Sequence, residues 1–149
     1  MSKKKVLIIN GPNLNLLARR DKSIYGGASL DKAKNDCAQL AKELSLEIDF
    51  RQSNNEGEII GWIQDSLDIA DGIIINAAAY THTSVAIRDA LEMFERPKVE
   101  LHISNIYKRE EFRKNSLISE VVDAVVSGFG TDGYSIALLG INNLIDNKQ

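Results

Sequence analysis

Five short apolar runs, each followed by residues at helical spacing, constrain this chain of 149 residues more than any other feature. The runs are Val6 to Ile9, the alternating Leu46, Ile48 and Phe50, then Gly72 to Ile75, Lys98 to Leu101, and Val121 to Val126. Between them, Ser29 is placed to cap a helix whose apolar positions Leu30, Ala33, Cys37, Leu40, Ala41 and Leu44 fall at steps of three and four. A second helix runs through Ile59, Ile60, Ile63 and Leu67, and a third, capped by Thr83 or Ser84, through Ala86, Ala90 and Phe94. Residues 105–113 read as a short charged helix, and Tyr134 to Ile145 as the closing one. Strands alternating with helices need crossover connections, so the sheet is parallel with helices on both faces. The fold class is therefore a doubly wound α/β domain. The second run has the period of a half-exposed edge strand, whereas Gly72 to Ile75 is apolar throughout, as a central strand requires. A chain of this length folds as one domain that buries about 70% of the surface its unfolded form exposes.

In open sheets of this kind ligands bind beyond the carboxyl ends of the strands. Those ends are Asn10 to Asn15, Ser53 to Glu56, Asn76 to Thr83, His102 to Asn105, and Gly128 to Gly130. They hold both histidines of the chain, His82 and His102, and many of its amides. The first strand runs into NGPNLNLLARRDKSIYG, a loop of amides, arginines and a tyrosine. The net charge of −3 leaves no basic stripe for counterion release, which argues against a nucleic-acid partner and for a small anionic or neutral ligand. Lys3, Lys4 and Lys5 read as a solvated terminus. No segment has the apolar length to span a membrane or serve as a signal-peptide core, so a cytosolic protein is expected. Cys37, the single cysteine, reads as core packing, and the His/Cys spacing fits no metal site.

GFGTDG, Gly128 to Gly133, has the form of a dinucleotide fingerprint, but only sixteen residues follow it, too few for another helix, a strand and a ribose-binding carboxylate. It reads instead as a tight turn that lets a helix pack closely. Glu100 and His102 stand two apart at a strand end, so they share a face, and the carboxylate can orient the imidazole as a general acid. His82, among the hydroxyls of THTS, suits either a ligand hydroxyl or a helix cap. Tyr25 is a base at neutral pH only if positive charge stabilises its phenolate, and Arg19 and Arg20 lie just upstream. Trp62 reads as packing within the second helix.

Taken together, INGPNLNLL with the later RxxxxYG (Arg20 to Gly26), QSNxEGE (Gln52 to Glu58), AYTHTSVAIRDAL (Ala79 to Leu91) and ELHISN with REEFR (Glu100 to Arg113) resemble the type II 3-dehydroquinate dehydratases over nearly the whole chain. The resemblance implies a flavodoxin-like sheet of order 2-1-3-4-5. It also implies reversible loss of water from 3-dehydroquinate to give 3-dehydroshikimate through an enolate, without metal or organic cofactor. It gives Tyr25 the role of base, with Arg20 keeping its phenolate available. Asn13 stabilises the enolate oxygen through a water, and His102, held by Glu100, is the acid. Asn76, His82, Arg113 and the backbone amides of Ile103 and Ser104 match substrate-binding positions, and Asp89 matches a residue that reaches into a neighbouring subunit's site. Homo-oligomers are implied, trimers arranged into a dodecamer. The chain departs from the family pattern in the lid, at Ala18, Arg19 and Lys22, and also at Asn55 and Ala77.

The rival class is a non-catalytic flavodoxin-like module. A phospho-receiver needs acids where Asn10 and Asn76 stand, and a flavin carrier needs a hydroxyl-rich loop where GPNLNLL stands. Dehydration through an imine would need a lysine at a strand's carboxyl end, and none is placed there.

Overall fold

The computed structural model describes residues 2–25 and 29–147, and all five strands lie within them. They are β1 (Lys4–Asn10), β2 (Leu46–Gln52), β3 (Gly72–Asn76), β4 (Lys98–His102) and β5 (Ala124–Ser127). They form one parallel sheet in the order β2-β1-β3-β4-β5. The half-polar β2 is an edge and the fully buried β3 is central, as their side-chain patterns require.

Alternation along each strand divides the core between two faces. Val6, Ile8, Ile74 and Leu101 point to one side, against Ala33, Cys37 and Ala41 of α2 (Leu30–Leu44) and Ala137, Leu138 and Ile141 of α5 (Asp132–Asn147). Leu7, Ile9, Ile73 and Ile75 point to the other, against Ile59 and Ile63 of α3 (Glu56–Ser66) and Ile87 and Leu91 of α4 (Val85–Met93). A four-residue helix, α1 (Lys22–Tyr25), interrupts the first crossover. Cys37 lies in this core, where burial first, and the charge of Asp36 second, push its thiol up to about 12. Three helices start on side-chain caps: Ser29 accepts from the amide of Lys32, Asn55 from Glu58 and Ser84 from Ile87.

The GFGTDG segment is a tight turn. Gly128 and Gly130 have φ of 97° and 63°, values that favour glycine, and a Cβ on Gly133 would lie 2.9 Å from Leu101, so the turn seats α5 directly on β4.

Two expectations need correction. Residues 105–113 do not form one helix but two 3-10 turns, Ile106–Lys108 and Glu111–Lys114, because only Ile106 is buried there and the segment has no apolar stripe to hold a longer helix. The last strand starts later than Val121. That residue ends a 3-10 turn (Ser119–Val121), and Val121 and Val122 pack against the α3/α4 core instead of entering the ladder.

Candidate active site

The register of the sheet brings the carboxyl ends of three strands level: Asn10 is paired with Gln52 on one side and with Asn76 on the other. Just beyond, the amide of Gly11 donates to the carbonyl of Asn76 at 2.8 Å. A Cβ at Gly11 would lie 2.4 Å from the carbonyl oxygen of Ala77, so only glycine allows the loops after β1 and β3 to touch. A buried relay lies beneath them. Asn10 Nδ2 donates to the carbonyl of Arg51 at 3.0 Å, Tyr134 Oη donates to Asn10 Oδ1 at 2.5 Å, and Asn76 Nδ2 donates to Tyr134 Oη at 3.1 Å. The amide of Ala78 donates to Asn76 Oδ1 at 3.2 Å. Backbone groups anchor both ends of the relay, so its direction is fixed and Asn76 keeps a second Nδ2 hydrogen for the space above.

That space is a cavity of about 130 Å³. Asn13, Arg20, Tyr25, Asn76, His82, His102, Ile103, Ser104, Arg109 and Arg113 line it together with small and apolar residues. Among the described residues three arginines and two histidines face it and no aspartate or glutamate does, so the site is electrostatically suited to an anion.

On one wall Tyr25, almost wholly buried, is held between two guanidinium groups. That of Arg20 lies over the phenol ring, 4.1 Å from its centroid. Arg109 instead reaches the oxygen: its Nη1 donates to Tyr25 Oη at 2.8 Å. On another wall His102 donates through Nε2 to Glu100 Oε2. Glu100 is fully buried and also accepts from Ser116 Oγ at 2.8 Å and from Ser119 Oγ. Burial alone would raise the Glu100 carboxyl, but the hydrogen bonds from His102, Ser119 and Ser116, with the attraction of His102, outweigh it and hold the group below the usual carboxylate value. With Nε2 so occupied, Nδ1 is the imidazole nitrogen left to exchange a proton with a ligand.

His82 closes a 3-10 turn (Ala78–His82), and Ser84, not His82, caps the following helix. Its Nδ1 donates to the carbonyl of Asn115 at 2.8 Å, so in the neutral ring Nε2 is an acceptor suited to a ligand hydroxyl. Arg113 is steadied by Glu110, whose Oε2 accepts from its Nε at 3.0 Å. Asn13, at φ 70°, lines the cavity while its amide donates to Asn54 Oδ1 at 2.9 Å. QSNxEGE therefore braces the site from outside: Gln52 and Asn54 hold the β1 loop, and Asn55 caps α3. Asp89 is exposed on α4 and does not line this cavity, Arg19 is exposed at the end of a 3-10 segment, and Gly26 lies outside the described residues.

Residues 4–142 match the family model described as dehydroquinase class II. The chain belongs to the class II dehydroquinase family. It is 51% identical to a 3-dehydroquinate dehydratase of Bartonella tribocorum over 133 residues, 89% of each chain. It is 50% identical to one of Acaryochloris marina over 149 residues, covering 100% of this chain and 98% of the relative. The crystal structure of a type II dehydroquinase from Butyrivibrio crossotus superposes with a TM-score of 0.92 at 44% identity, covering 95% of this chain and 99% of that one.

Four residues of this dehydroquinase site were not singled out from the sequence. Arg109 opens the REEFR string, four residues before Arg113, but only the folded turn shows that it bonds the phenol oxygen. Ser116 and Ser119 leave a faint signal, two hydroxyls three apart in a loop that follows a strand. Tyr134 left none, since an aromatic at the start of an apolar helix reads as core, and all but its hydroxyl is core.

Proposed function

We propose that this cavity carries out the family's reaction, the reversible anti elimination of water from 3-dehydroquinate to give 3-dehydroshikimate, with Tyr25 as base and His102 as acid. The chain is a hydro-lyase of the shikimate pathway. The observation that carries the assignment of roles is the pairing, in one cationic cavity, of a phenol bonded to a guanidinium with an imidazole backed by a buried carboxylate. Tyr25 as phenolate takes a proton from the carbon beside the ketone, and the electron pair left behind forms an enolate. Arg109 on the oxygen and Arg20 over the ring favour the anionic phenol. Asn13, through a water, stabilises the enolate oxygen. His102 then gives its proton to the tertiary hydroxyl, which leaves as water as the enolate collapses to the conjugated enone. Asn76 and His82 bind substrate hydroxyls. Arg113 and the amides of Ile103 and Ser104 hold the carboxylate, in keeping with the charge of the lining. No metal or organic cofactor takes part.

Asp89 completes the site of a neighbouring subunit within a trimer, and trimers assemble into a dodecamer. On α4 the exposed Val85 and Met93 stand four residues to either side of Asp89, so the carboxylate sits in an apolar stripe that an interface would cover. The enzyme works in the cytoplasm. No helix among the described residues is long and apolar enough to cross a membrane.

The test is ultraviolet absorbance of the enone carboxylate after 3-dehydroquinate is added to chelator-treated enzyme. Wild type should give a steady rise. Tyr25→Phe and His102→Ala should each lose about 10²- to 10⁴-fold in kcat, the scale of a general acid or base. A folded wild type that gives no rise would overturn the reading.

A further inference from the structure

The hydrogen bonds around Glu100 are more numerous than orienting one histidine requires, and their directions are constrained. Ser116 Oγ accepts from the amides of Ile118 at 3.2 Å and Ser119 at 3.1 Å, so its lone pairs are engaged and its single proton is free only to donate, to Glu100 Oε2. The same oxygen accepts from His102 Nε2, and Oε1 accepts from Ser119 Oγ. Three donors therefore converge on one fully buried carboxyl group. A proton on Oε2 would point at two donors, and on Oε1 it could be accommodated only if Ser119 turned round to accept.

This arrangement answers a difficulty in the acid step. While His102 is an imidazolium, its charge stabilises the carboxylate. Once it has given up its proton, a buried carboxylate facing only a neutral imidazole would tend to take up the next proton itself. We infer that Ser116 and Ser119 are positioning residues that keep Glu100 an anion while His102 is neutral, so that the proton that resets the enzyme returns to His102. The inference rests on the acid role given to His102 above.

Among the described residues, no other charge is placed to do this. Beside Glu100 in the sheet stand Ile75 of β3 and Val125 of β5, and beside His102 stands Ser127. From α4, Arg88 donates to the carbonyl of Leu117 at 2.8 Å and lies 3.8 Å from Glu120, and so is engaged with the loop itself. The cavity's Arg20, Arg109, Arg113, Tyr25 and His82 lie on the ligand side of His102.

The experiment combines kcat–pH profiles for 3-dehydroquinate with ¹⁵N NMR titration of histidine-labelled enzyme, in which only His82 and His102 contribute. Ser119→Ala should lower kcat about tenfold and move the acid limb of the profile up by about one pH unit, the scale of one hydrogen bond to a charge. Ser116→Ala should do more, and Ser119→Thr should restore the wild-type profile. The His102 resonances should titrate differently in both alanine variants, while those of His82 stay put. Unchanged kcat, or a lower kcat with the acid limb and the His102 titration both unmoved, would reduce the serines to a loop brace and overturn the inference. Should Ser116→Ala fail to fold, Ser119→Ala with its threonine rescue decides alone. The NMR titration needs no turnover, so an inactive wild type would defeat the assigned reaction, while the His102 titration in the alanine variants would still decide whether the serines act on the Glu100–His102 pair.

Discussion

At the scale of single residues, the two guanidinium groups on Tyr25 are not equivalent. Arg20 stacks on the ring, a cation–π contact worth about 0.5–2 kcal/mol, and favours the phenolate through its charge over the ring face without bonding the oxygen. Arg109 donates directly to that oxygen, so its hydrogen bond strengthens when the oxygen becomes an anion. Its Nε is buried without a hydrogen-bond partner among the described residues and lies 3.8 Å from Glu110 Oε1, which leaves Nη1 as its principal anchor within the cavity. A hydrogen bond to a charged group contributes about 1.5–3 kcal/mol. Arg109→Ala should therefore cost roughly 10- to 100-fold in kcat, with KM changing less, because the lost interaction matters most after Tyr25 has lost its proton. Steady-state kinetics on the folded variant checks this, and a loss confined to KM would mean that Arg109 serves binding alone.

At the scale of elements, the relay from Arg51 through Asn10 and Tyr134 to Asn76 joins β2, β1 and β3 to the first turn of α5, just under the cavity floor. Tyr134 is fully buried, and burial pushes its hydroxyl well above the ordinary phenol value, so it serves as a neutral hydrogen-bond link and not as an acid. Tyr134→Phe keeps the packing but strands Asn10 Oδ1 and Asn76 Nδ2. Each unsatisfied buried atom costs about 1–3 kcal/mol. A fall in the denaturant midpoint of that order should come with a raised KM, since Asn76 is freed to turn; unchanged stability would show that the relay is slack. What the sequence shows and what it hides divide along the same line, between elements and what joins them. Strands such as Gly72–Asn76 are legible because an unbroken apolar run suits a central strand, and Ser29 and Ser84 are legible because capping is local chemistry. Glu100 with His102 was legible because strand period alone puts them on one face. The two turns over residues 106–114 were not, because their shape depends on what Ile106 packs into and not on their own residues. The reach of Arg109 to Tyr25 spans 84 positions and is set by which loops the sheet order brings together.

At the scale of the whole molecule, the cavity within one chain holds Tyr25 and His102, the proposed base and acid, with the cationic lining, while Asp89 lies outside it, exposed on α4 between Val85 and Met93. A carboxylate in an exposed apolar stripe is explained if that stripe packs on another copy and Asp89 serves the other copy's site. Closed rings of identical subunits then require that each chain lend this residue in one direction and borrow it from the other. The arrangement can be separated from a purely local role by complementation. Asp89→Ala should be impaired although its own Tyr25 is intact, and Tyr25→Phe should be nearly inactive although its own Asp89 is intact. When the two are dissociated, mixed in equal amounts and reassembled, a site works wherever an Asp89→Ala chain borrows from a Tyr25→Phe neighbour. Random mixing makes that roughly a quarter of all sites, so activity should rise to about a quarter of wild type. If mixing restores nothing while sedimentation shows that mixed oligomers have formed, Asp89 acts within its own chain or only on folding, and the site would have to be complete in the single subunit.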